Sequence, residues 1–143
     1  MPVYNYDPKA VAVVFNATLI KGFADGDFVS VSYESDKWEH TSGADGEEIR
    51  TKSNDNRATL TLTLMQSSAS NAVLSAAYLL DEAGNAGAFP IAITDTTGTS
   101  LVTGESAWIK KLPDFNRGKS ATTVEWMISI ANAKVFIGGN DTI

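Results

Sequence analysis

Residues 35–66 read SDKWEHTSGADGEEIRTKSNDNRATLTLTLMQ, and two kinds of strand signal lie within that stretch. From Arg57 to Leu64 the chain alternates Thr59, Thr61 and Thr63 with Leu60, Leu62 and Leu64. Successive side chains of a strand point to opposite faces, so this run predicts a half-buried antiparallel strand with one apolar and one hydroxylated face. Upstream, Trp38 to Thr41 and Glu48 to Lys52 flank Gly43-Ala44-Asp45-Gly46, a turn whose glycines and aspartate tolerate positive φ. The spacing predicts a charged, solvent-reaching β-hairpin over about residues 38–53. A core strand beside a projecting arm is a structural pattern and carries no chemistry of its own.

Working outward toward the N-terminus, Phe28 to Tyr33 alternates Val29, Val31 and Tyr33 with Ser30 and Ser32, a strand with one wet face. Val11 to Asn16 is β-rich and is expected to continue through Thr18 to Ile20 past a bend at Asn16-Ala17. Gly22 and Asp25-Gly26-Asp27 reverse the chain, so the Phe28–Tyr33 strand is expected to pair with the run before it. Pro2, Asn5, Asp7 and Pro8 predict an extended arm over residues 1–9.

Toward the C-terminus, Val73, Leu74, Ala77, Tyr78 and Leu80 form an apolar stripe at helical spacing. They predict a helix over about residues 69–83, with Ser67, Ser68 and Ser70 as capping hydroxyls and Gly84 as the left-handed stop. Phe89 to Thr94 is a strand, and Pro90 places it at a sheet edge or puts the proline among its first residues. Leu101–Val102 and Ala107–Leu112 read as short strands separated by Gly104, and Pro113 to Lys119 reads as a loop. Thr122 to Ile130 alternates Val124, Trp126, Ile128 and Ile130 inward and predicts a central strand, with a last short one at Val135 to Ile137. The chain is therefore expected to be mainly β: an antiparallel β-sandwich or open barrel with one flanking α-helix, in a single domain spanning 1–143.

A chain of 143 residues buries about 68–70% of its unfolded surface, enough for a core without covalent staples. There is no cysteine, which excludes disulfides, thiol nucleophiles and thiolate metal sites. A net charge of −6 opposes the counterion-displacing grip of a nucleic-acid binder. No apolar run reaches the ~20 residues that span a bilayer, and the N-terminus has no basic region ahead of a long apolar one. A soluble protein is expected, with no cleaved signal and no membrane insertion.

The search for catalytic patterns yields turns and strand edges. Gly118-Lys119-Ser120 resembles the end of a phosphate-binding loop, but Pro113 stands where the first glycine belongs and a strand follows where a helix is needed. His40 is the only histidine and lies on the charged hairpin, with no oriented nucleophile to serve. Ser106, in Gly104-Glu105-Ser106-Ala107, lacks the second glycine of a nucleophile elbow. Asp45, Glu47 and Glu48, like Asp25 and Asp27, read as solvated turns rather than cation loops, and Asn54-Asp55-Asn56 reads as a turn. Trp38, Trp108 and Trp126 are too dispersed for a stacking platform and read as core or interface residues.

The ordered set of motifs does resemble a family. Asn16, the run Gly22-Phe23-Ala24-Asp25-Gly26-Asp27-Phe28-Val29, Gly43 to Glu47, Lys52-Ser53-Asn54-Asp55 and the Thr/Leu strand ending in Leu64-Met65-Gln66-Ser67-Ser68 resemble the tail tube proteins of contractile-tailed bacteriophages. So do Ser70-Asn71, Phe89-Pro90-Ile91, Ala107-Trp108-Ile109 and Glu125-Trp126, so the resemblance covers nearly the whole chain. The same family resembles the tube subunits of bacterial contractile injection systems. The resemblance implies a structural virion protein without enzymatic activity or cofactor, assembling as hexameric rings stacked into a hollow tube inside the sheath. Its implied partners are further copies of itself, the sheath and other tail proteins. The resemblance further implies that DNA passes through the lumen without specific binding and that the tail is assembled in the host cytoplasm. A monomeric β-sandwich module binding a small ligand or glycan is the alternative.

If the chain builds a tube, the hairpin supplies the subunit contacts, with Trp38, His40, Gly43, Asp45, Gly46, Glu47, Glu48, Arg50 and Lys52 as candidates. The acidic excess, 17 acids against 11 bases, is then expected on the inner wall. Arg50, Lys52, Lys110 and Lys111 are expected at contacts or toward the sheath.

Overall fold

Leu60, Leu62 and Leu64 are fully buried in the computed structural model, which describes residues 2–142. Met1 and Ile143, the outer limits of the expected domain and arm, lie outside the described residues. The strands are β1 (Val11–Phe15), β2 (Thr18–Ile20), β3 (Val29–Tyr33), β4 (Trp38–Ser42), β5 (Glu48–Lys52) and β6 (Ala58–Met65). Helix α1 (Ser70–Gly84) follows, then β7 (Phe89–Asp95), β8 (Leu101–Lys111), β9 (Thr123–Ile130) and β10 (Lys134–Phe136).

The main sheet is antiparallel, in the order β2-β1-β7-β8-β9-β6-β3, with β10 beside the first half of β8. Strand β6 pairs with β9 along its whole length, from Ala58 opposite Ile130 to Met65 opposite Thr123. Directly opposed residues share a face, so Ala58, Leu60 and Leu62 of β6 meet Ile130, Ile128 and Trp126, all buried, and Leu64 meets the partly buried Val124. After Ile20 at one margin of the sheet, the chain reaches Phe23, which bridges Leu64 of β6 beside the other margin. Three residues of chain span at most about 10 Å. The sheet is therefore curled with its margins close together, and its inward side chains form a single core with Leu74 and Ala77 of α1. This is the expected mainly β sandwich with one flanking helix.

Several local expectations are corrected. Asn16 and Ala17 carry φ of 52° and 58°, the paired positive angles of a tight hairpin turn, so β2 folds back onto β1 rather than continuing it. Strand β3 pairs with β6, not with the run before it, because its Val29 and Val31 extend the same apolar face as Leu62 and Leu60. Of the two placements Pro90 allowed, a sheet edge or the first residues of its strand, the second holds: β7 is interior and Pro90 is its second residue, where the register with β8 shifts between Phe89 and Ile91. The two short segments around Gly104 are one strand, β8. Gly104 is not a break: a Cβ there would lie 2.4 Å from Ile130 Cγ2, so the position needs a residue without a side chain. The last strand starts one residue earlier than expected and ends at Phe136.

Helix α1 buries Ser70, Leu74 and Ala77, and Tyr78 packs against the core. Leu80 falls outside that stripe and is exposed. The left-handed stop is Asn85, at φ 56°, rather than Gly84. Of the expected capping hydroxyls, Ser68 Oγ accepts the Ser70 N–H at 3.2 Å. Ser70 Oγ reaches across the fold to accept the Lys21 N–H at 2.8 Å, and Ser68 Oγ donates to the Lys21 carbonyl. These serines hold the crossing between the two margins of the sheet.

The N-terminal residues run alongside the chain's own C-terminal tail. Tyr4 faces Thr142 across an antiparallel bridge, and Asn5 N–H donates to the Asp141 carbonyl at 3.0 Å. A turn of 3-10 helix, Pro8–Ala10, capped by Asp7, leads into β1.

Candidate assembly interface

Strands β4 and β5 form a separate two-stranded sheet in which every residue is exposed. The register sets Trp38 opposite Lys52, His40 opposite Arg50 and Ser42 opposite Glu48, so these six residues share one face. The turn between them is built as the glycines predict: Gly43 N–H donates to the Glu47 carbonyl at 2.7 Å, Gly46 N–H to the Gly43 carbonyl at 3.1 Å, and Gly46 has φ 90°. Along the shared face the Arg50 guanidinium sits 3.8 Å from the centre of the Trp38 ring, and His40 Nε2 lies 3.4 Å from Glu48 Oε1. The first contact stiffens the base of the hairpin; the second, open to water, adds little. Asp45, Glu47 and Glu48 crowd the tip with no base among residues 43–48. All nine candidates taken from the sequence thus lie on the hairpin, in two groups: an aromatic and basic base, and an acidic tip.

Sequence reasoning missed the residues that aim the hairpin. Arg57 donates from Nε and Nη2 to the two oxygens of Asp55, each at 2.9 Å, and its backbone N–H also donates to Asp55 at 3.1 Å. Ser35 Oγ donates to the second Asp55 oxygen at 2.9 Å. These bonds, the Arg57 side chain's foremost, hold the Asp55 carboxyl well below the usual carboxylate range and push the Arg57 guanidinium up. Lys37 Nζ donates to Asn56 Oδ1 at 2.8 Å, Ser53 N–H to the Lys37 carbonyl at 2.7 Å, and Thr59 Oγ1 to Glu34. Asn54-Asp55-Asn56 is therefore one side of a two-sided clamp rather than a plain turn. The available signal was an aspartate two residues before an arginine, which is too common to single out. A groove of about 410 Å³ lies beside this clamp, between Tyr33, Lys37, Asn56 and Lys134.

At the other end of the β6/β9 pair lies the loop joining β8 to β9, which has no regular structure from Leu112 to Thr122. Gln66 Oε1 anchors it by accepting the Thr122 N–H at 3.2 Å. Phe115 is 81% exposed and carries the Arg117 guanidinium 4.3 Å above its ring.

Residues 8–138 match the family described as Bacteriophage PhiTE tail tube protein. The chain belongs to this phage tail tube family. A curated relative, structural protein ORF10 of Pseudomonas phage KPP10, is 32% identical over 146 residues, covering 96% of this chain and 84% of its own length. Two solved structures share the fold of this tail tube family member. The cap of the anti-feeding prophage, its tube terminating cap, gives a TM-score of 0.59 at 12% identity, covering 93% of this chain and 91% of that one. The sheath/tube terminator of PVC, an extracellular contractile injection system, in its extended state, gives 0.60 at 14% identity over 94% and 98%. The protein is thus a phage tail structural component, related in fold to parts that end contractile tubes, and its family is not one of enzymes.

Proposed function

We propose that this chain self-assembles as hexameric rings stacked into the inner tube of a contractile tail, and that the tube conducts DNA during ejection. The observation that carries this reading is the hairpin: fifteen residues, 38–52, wholly exposed, with its two legs tied together at the root by the Ser35–Asp55 and Lys37–Asn56 hydrogen bonds. A chain gains nothing in its own fold from such an arm, whereas a neighbouring subunit can bury it. The free edges of β2 and β3 support the same reading, since an open sheet margin is a template for pairing with another copy.

The outward face of β3, β6 and β9 suits the channel wall. It presents Ser30, Ser32, Thr59, Thr61, Thr63, Thr123 and Ser129, with Met65 and Met127 among them; Glu125 is the one charge within the strands, and Glu34, which accepts from Thr59, adds a carboxylate at the end of β3. The bases that flank it are Arg57, before β6 and bound to Asp55, and Lys111, at the end of β8 opposite Met127. A phosphate backbone finds no partner on such a wall.

The purified protein is expected to form rings and tubes by size-exclusion chromatography and electron microscopy. A strictly monomeric species at high concentration that binds a glycan or small ligand would instead establish the binding-module reading.

A further inference from the structure

Charge is segregated between the two ends of this molecule. The segment Lys110 to Lys119 carries Lys110, Lys111, Arg117 and Lys119 against a single acid, Asp114, in a chain whose net charge is −6. All five are exposed, and among the described residues none of them forms an ion pair; the ion pairs present are His40 with Glu48 and Asp55 with Arg57. The same segment bears the exposed apolar side chains Leu112 and Phe115 and is flanked by grooves of about 270 and 370 Å³. The hairpin tip has the opposite character: Asp45, Glu47 and Glu48, no base, and Ile49, 66% exposed, immediately beside them.

The register places these two surfaces at opposite ends of the fold. The hairpin leaves the sheet where Tyr33 pairs with Ala58, and Ala58 faces Ile130. The loop from Leu112 onward enters β9 at Thr123, which faces Met65 at the far end of β6, whereas Lys110 and Lys111 close β8 about midway along β9, Lys111 opposite Met127. Eight residues of strand separate the root of the hairpin from the mouth of the loop, about 25 Å. Two complementary surfaces on opposite ends of one chain cannot satisfy each other within that chain. They can do so between copies arranged head to tail, which is the heterologous contact that propagates a stack.

We infer that the acidic hairpin tip of one copy docks on the basic loop 110–119 of a copy in the next ring, with Ile49 set against Leu112 and Phe115. This rests on the tube reading above and names the partner surface for its hairpin. Opposite charges supply register and encounter rate, and the apolar residues supply the contact that water leaves. Asp25 and Asp27 stand at the same end as the loop but precede β3, two strands from β9, roughly 10 Å away. They repel a tip that docks off register.

The experiment is a charge swap in the full chain. One variant carries D45K, E47K and E48K, a second carries K110E, K111E, R117E and K119E, and a third carries all seven changes. Every changed side chain is exposed, and circular dichroism checks the fold of each. Tube growth by the wild type, followed by light scattering and electron microscopy, is expected to fall roughly tenfold or more in each of the first two variants and to recover in the third. Wild-type growth should also slow between about 50 and 500 mM salt, where exposed charges are screened. If wild-type tubes form and the first two variants polymerise as well as it does, or the third does not recover, the pairing is wrong and the tube reading stands. Wild-type protein that forms no rings or tubes under any of these conditions overturns the tube reading itself.

Discussion

Ser70 shows how one hydroxyl can govern a topology. It is 5% exposed, sits at the start of α1, and takes the Lys21 N–H where the chain crosses from β2 to β6. Ser70→Ala leaves that donor without a partner, at about 1–3 kcal/mol, which for a chain of this size lowers the thermal midpoint by roughly 2–10 °C. A melt followed by circular dichroism that shows no change would mean that water replaces the hydroxyl. Asp55 governs direction rather than stability. Its carboxyl titrates below its unfolded value, so its contribution is present above about pH 4 and is lost as pH falls through the lower folded value. The clamp should therefore outlast ordinary surface carboxylate pairs on acidification. Hydrogen-exchange protection across residues 38–52, taken relative to the intrinsic amide rate at each pH, is expected to be unchanged from pH 7 to about pH 4.5 in the wild type and lower throughout in Asp55→Asn. Equal exchange in both proteins would remove the clamp's role.

At the scale of elements, the hairpin is separable from the core it projects from. Its strands pair only with each other and bury nothing, so replacing Thr41 to Glu48 with a short turn is expected to leave the melting behaviour of the subunit nearly intact while abolishing stacking. Normal tubes from that variant, seen by electron microscopy, would assign stacking to another surface. The hairpin and β6 were legible in the sequence because their signals are local: a glycine turn between short strands, and a strict period of two. What was not legible depends on distant neighbours. Strand β3 takes its partner from across the hairpin rather than from the adjacent run, because the apolar face of β6 outweighs proximity in sequence. Pro90 signals an edge or an early strand position, and only the neighbours on both sides of β7 decide for the second, where a bulge absorbs the missing donor. Gly104 signals a break, yet it is there because Ile130 fills the space a side chain would need. The basic loop is plain in composition, but only the register of β6 with β9 puts it opposite the hairpin.

At the scale of the whole molecule, and then of its repeats, small charges become continuous surfaces. Glu125 is the one carboxylate within the strands of the hydroxylated face of β3, β6 and β9. If that face lines the channel of a stacked tube, the carboxylate recurs around and along the lumen. A wall of hydroxyls with recurring carboxylates gives duplex DNA neither a phosphate partner nor a reason to stay. Assembled wild-type tubes are therefore expected to retain no duplex DNA at low salt, where attraction to phosphates would be strongest. Glu125→Lys repeats a base in place of each carboxylate. Its tubes should hold DNA at low salt and release it as salt rises, with the steep dependence that counterion release imposes. Co-sedimentation of labelled duplex with wild-type and variant tubes measures both. Salt-sensitive retention by the wild type would mean that a basic face lines the channel. Identical behaviour of the variant would place Glu125 away from the lumen and assign the channel wall to another face of the subunit.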